Sequence, residues 1–261
     1  SNGTSNYDIE TYIDQLGFTV TDDPAKADII VGNVALDQGE KGAAAVAAVK
    51  AGTPYIATGS DPLEYISKNL VTDLTYTTLG MEALHTVTYP TDSLITASYV
   101  AEGDDLLYGY GAGYFAAIPA GAQVLVQLDG SKELLEGFLP ADGEHFDDFL
   151  DDSIQAISYQ GAGADNAQLD VVLFANTLTN KVHQRDEYAF ISNFLFSSVL
   201  SSEAYVPTEA ASYTLSYSVD GAQAPADAAS YEEDDTVTLA AAPEKGGYTF
   251  TGWTIGEQTF E

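Results

Sequence analysis

The chain has 261 residues, 45% of them hydrophobic, and carries 40 Asp and Glu against 8 Lys and Arg, a formal net charge of −32. A surface this acidic repels phosphate backbones and anionic membranes, so we expect no nucleic-acid partner. The absence of cysteine excludes disulfides, thiolate nucleophiles and cysteine-based zinc sites. No apolar run approaches the roughly 20 residues of a membrane helix, and the start of the sequence shows no signal peptide.

The first third of the chain predicts alternating helices and strands. A helix opens at residue 7 and ends near Gly17, a strand spans 27–32, a helix spans 41–51, and a strand spans 54–57. Thr58, Gly59 and Ser60 then turn into another helix, which Ser60 or Asp61 is expected to cap. This order is typical of a parallel sheet with helices on both faces. We therefore predict an α/β fold, flavodoxin-like in outline, with a mostly parallel sheet.

Further strands are predicted in the middle of the chain, over 84–89, 122–128, 154–159 and 169–175. A closing helix is predicted over 188–200. Residues 203–212 have the composition of a linker, and beyond them the apolar pattern changes to a period of two. The predicted organisation is thus an α/β domain over 1–202 and a small β module over 213–261.

The β module resembles a Listeria–Bacteroides repeat. The resemblance rests on alternating residues from 214 to 221, on 235–239, and on the run Gly-Tyr-Thr-Phe-Thr-Gly-Trp that ends at Trp253. Alternating aromatics fill the core of such a small sheet, and Gly252 allows a bend before Trp253. The resemblance implies a β-grasp-like module, truncated here, in a secreted or wall-displayed bacterial protein.

The larger domain resembles the class I glutamine amidotransferase-like domain attached to some secreted zinc carboxypeptidase-like proteins. Segments 27–66, 119–126 and 169–195 carry this resemblance in the expected order. It implies a strand-helix elbow at residues 57–61, where the family places its nucleophilic cysteine. Because that cysteine is missing, glutamine hydrolysis by the family's mechanism is excluded.

Ser60 on the elbow offers an alternative nucleophile. His183 lies near the family's histidine position, and Glu187 follows four residues later. A divergent serine hydrolase of Ser60, His183 and Glu187 is therefore one hypothesis. The simpler interpretation is that Ser60 caps a helix and His183 forms a loop hydrogen bond.

Metal sites are not expected. The three histidines, His85, His145 and His183, lie far apart, and none has the His-x-x-Glu spacing of a zinc carboxypeptidase. The acidic segment 142–152 offers carboxylates for calcium but departs from the EF-hand pattern, so we favour a short helix with one apolar face there. We expect no cofactor and no metal.

Tyr108, Tyr110 and Tyr114 offer a possible sugar-stacking surface, although aromatic residues in a glycine-punctuated strand are more often core. The sequence therefore leaves three hypotheses open. The first is a non-catalytic accessory or interaction domain of a secreted or cell-surface protein, whose partners are other domains of the parent protein or an extracellular molecule. In this hypothesis the parent carries a zinc carboxypeptidase-like domain outside this sequence. The alternatives are the serine hydrolase and a carbohydrate-binding module.

Overall fold

A computed structural model describes residues 6–132, 135–138, 146–179, 186–202, 213–221, 223–225, 230–231, 236–255 and 258–260. The chain divides into two compact units, residues 1–203 and 204–261. The first unit is a mixed α/β structure, and the second contains short strands. We describe each unit by itself.

Six α-helices are described in the first unit: α1 (Asn6–Gln15), α2 (Gly39–Lys50), α3 (Ser60–Asn69), α4 (Ala97–Glu102), α5 (Phe146–Leu150) and α6 (Tyr188–Ser202). Its described strands are β1 (Ile30–Val31), β2 (Tyr55–Thr58), β3 (Thr75–Thr88), β4 (Leu106–Ala117), β5 (Gln123–Leu128), β6 (Glu136–Phe138), β7 (Ile154–Ala162) and β8 (Gln168–Phe174). The predicted helices and most predicted strands are present. The glycine- and tyrosine-rich stretch from residue 106 forms the long strand β4.

The eight strands form one sheet in the order β1-β2-β8-β7-β4-β3-β5, with β6 beside β3. Only the β1–β2 and β2–β8 pairs are parallel among the described strands; all other pairs are antiparallel. The prediction of a mostly parallel, flavodoxin-like sheet was therefore wrong. The reason is the connections: β7 and β8 are joined by the short turn 163–167, and a short connection permits only antiparallel pairing.

Helices cover both faces of the parallel part of the sheet. On one face, Ala45 and Val49 of α2 and Leu63 and Ile66 of α3 are fully buried against the strands. On the other face, the buried apolar cluster includes Ile9 of α1 and Phe190, Ile191, Phe194 and Leu195 of α6. Parallel strands covered on both faces are apolar throughout, and β2 is fully buried along its length.

The described residues of the C-terminal unit form two short antiparallel strand pairs. β9 (Tyr213–Thr214) pairs with β10 (Ser230–Tyr231), and β11 (Trp253–Ile255) pairs with β12 (Gln258–Phe260). The Trp253 ring lies 4.6 Å from the Tyr217 ring, and its indole N–H donates to the Ala240 carbonyl at 2.8 Å. Gly252 has φ +130°, and a Cβ there would lie 2.5 Å from the Phe260 carbonyl oxygen, which explains the glycine before Trp253.

Candidate functional site

The elbow between β2 and α3 lies at the carboxyl ends of the parallel strands. β2 ends at Thr58, α3 begins at Ser60, and Gly59 connects them with φ +87°. The Gly59 N–H donates to the carbonyl of Asn176, the second residue after β8, at 3.2 Å. Ligands of open α/β sheets bind in this crevice, where neighbouring parallel strands end. The elbow is therefore the place where the fold would present a functional group.

Neutral polar side chains surround Gly59. A Cβ at this glycine would lie 2.8 Å from Thr177 Oγ1 and 3.6 Å from Asn33 Nδ2, so both side chains approach the backbone closely. Asn176 is fully buried, and its amide nitrogen donates to the Tyr108 carbonyl at 3.3 Å. Its oxygen Oδ1 and the hydroxyl of buried Thr58 have no hydrogen-bond partner within the described part of the chain.

Ser60 is half-buried at the first position of α3. The predicted capping role was wrong, because the N-cap position is Gly59 and none of the described side chains caps this helix. A hydroxyl at the first helical residue points past the free amides of the first turn, so it lacks the geometry of a cap. Among the described residues, no base accepts a hydrogen bond from the Ser60 hydroxyl. His183 lies outside the described residues.

Glu187 is buried at 5% exposure beside β4. One carboxylate oxygen, Oε1, accepts the Tyr108 N–H at 2.9 Å. Burial, with smaller contributions from the charges of Asp186 and Asp104, raises the pKa of this carboxyl to about 8. Glu187 thus holds the start of β4, and the described hydrogen bonds do not connect it to Ser60.

An acidic crevice of about 360 Å³ lies beside the elbow. Its lining residues are Asn33, Ala35, Asp37, Gln38, Asp61, Glu64, Tyr65, Lys68 and Asn69. The only lysine in this lining, Lys68, already pairs with Glu64 at 3.3 Å. The crevice therefore favours neutral or positively charged groups and repels anions.

The three tyrosines do not share one exposed surface. Tyr114 is buried at 5% exposure, in a small core with Leu128 and Phe149, whereas Tyr110 is exposed and Tyr108 is half-buried. Irregular β3–β4 pairing near positive-φ Gly111 interrupts the alternation between Tyr110 and Tyr114. The predicted three-tyrosine sugar surface was therefore wrong.

His85 is a core residue. It is 2% exposed and its ring packs edge-on against Phe149 of α5 at 5.5 Å. Burial lowers its pKa to about 4, so the ring is neutral at pH 7. Across the described residues, no three His, Cys, Asp or Glu side chains are grouped for a metal ion. His145 and residues 142–145 of the acidic segment lie outside that part, and the described remainder includes the short helix α5.

Sequence reasoning missed Asn33, Asn176 and Thr177. Each of the three lies within three residues after the end of a parallel strand. Ligands of such sheets bind at the carboxyl ends of the strands, so this position in the sequence could have identified these residues as candidates. The pattern of apolar residues predicts where strands run, but the neighbours β1, β2 and β8 are assembled only by the tertiary structure.

Two kinds of comparison with known proteins, one with protein families and one with solved structures, give matches. Residues 213–259 match the Listeria-Bacteroides repeat domain, which agrees with the resemblance seen in the sequence. Among solved structures, the chain is similar to a ThuA-like protein from Bacteroides uniformis, with a TM-score of 0.46 and 10% identity, covering 77% of this chain and 86% of that one. No curated protein matches.

No helix in the described residues is long and apolar enough to cross a membrane.

Proposed function

We propose that this chain is a non-catalytic accessory or interaction domain of a secreted or cell-surface bacterial protein. The observation that carries the proposal is the elbow. It has no cysteine, and its Ser60 makes no hydrogen bond to a base in the described part of the chain. The repeat in residues 213–259 supports the surface location, since such repeats occur in surface and extracellular proteins.

The charge around the elbow also disfavours a serine nucleophile. Activation requires a base that accepts the hydroxyl proton and a site that stabilises negative charge on the oxygen. Asp61 and Glu64 line the crevice beside Ser60 and would destabilise an alkoxide there. Glu187, the acid of the hypothetical triad, instead accepts a hydrogen bond from the backbone N–H of Tyr108.

A serine-reactive fluorophosphonate probe tests the non-catalytic part. We expect no labelling of the wild-type protein and no hydrolysis of p-nitrophenyl esters. Ser67→Ala is a matched control, because Ser67 lies on the same helix and donates to the Glu64 carbonyl at 3.2 Å. Labelling that disappears in Ser60→Ala and persists in Ser67→Ala would establish the hydrolase instead.

Protease treatment of intact cells tests the location. An antibody against residues 1–203 should detect the domain on unbroken cells of the source bacterium, and external protease should remove the signal. A signal that appears only after lysis would contradict a surface role.

The partners we propose are other domains of the parent protein, including a carboxypeptidase-like domain, or an extracellular molecule.

A further inference from the structure

We draw no further inference here: the strongest candidate, the acidic crevice between residues 33–38 and helix α3, is a cluster of acidic and amide side chains whose one lysine already pairs with Glu64, and nothing in the described part of the chain points to a ligand that it would hold.

Discussion

At the scale of single residues, the elbow depends on a glycine for two separate reasons. Gly59 has a φ of +87°, which side-chain-bearing residues rarely adopt, and a Cβ would approach Thr177 Oγ1 to 2.8 Å. Gly59→Ala should lower the free energy of unfolding by about 2–4 kcal/mol, measured by urea denaturation. Gly103→Ala is the matched control, because Gly103 has φ +72° but open space around its Cα. An equal loss in both variants would show that the Thr177 contact contributes nothing.

Glu187 should make the stability of the protein pH-dependent. Its pKa is raised from 4.5 to about 8, so the folded state holds a proton that the unfolded state has already released. The contribution of Glu187 to stability should therefore fall as pH rises from about 4.5 through 8, by roughly 3–5 kcal/mol. Buried His85 contributes in the opposite direction below about pH 6.5, so the fall should show in the wild type between about pH 6.5 and 8. Glu187→Gln should remove most of that slope in urea titrations at several pH values. The control Glu82→Gln changes an exposed carboxyl and should keep the slope of stability against pH. An unchanged slope in Glu187→Gln would contradict the assignment of this pH dependence to Glu187.

At the scale of elements, strand β2 ends in a buried hydroxyl. Thr58 is fully buried and its Oγ1 has no hydrogen-bond partner in the described residues. Thr58→Val keeps the branched shape that strands favour and removes the unsatisfied group, so it should stabilise the fold by about 1–2 kcal/mol. Thr88→Val on β3, where the side chain is exposed, should change stability by less than about 0.5 kcal/mol. A destabilised Thr58→Val protein would show that the hydroxyl has a binding partner.

At the scale of the whole molecule, repulsion among acids opposes folding. The formal charge is −32, and the four ion pairs found among the described residues are all at least partly exposed. Exposed pairs contribute little, whereas salt screens the many unpaired acids. The melting temperature should therefore rise by several degrees between about 0.05 and 0.5 M NaCl.

The charge variant Asp92→Lys checks the cause of that salt effect. It should raise the melting temperature at low salt, because it removes one exposed acid and adds a cation. Near 0.5 M NaCl the difference from the wild type should nearly vanish. A difference that persists at high salt would point to a local contact of residue 92.

The sequence by itself determined the elements that local chemistry controls. The alanine-rich stretch of α2 predicted a helix, the apolar run of β8 predicted a strand, and the change of periodicity near residue 213 predicted a separate β module. The resemblance of that module to a Listeria–Bacteroides repeat is confirmed by the match over residues 213–259. Composition also excluded the cysteine chemistry of the elbow, because the absence of a residue type does not depend on folding.

Only the tertiary structure decided which elements are neighbours. Strand direction follows from the connections, so the antiparallel pairing of β7 and β8 overturned a mostly parallel sheet. The burial of Tyr114 followed from the irregular β3–β4 pairing, which an alternating pattern cannot show. The surroundings of Gly59 and the lining of the acidic crevice beside it join residues far apart in the chain. Such sites depend on packing across the sheet, and periodicity in one segment carries no information about it.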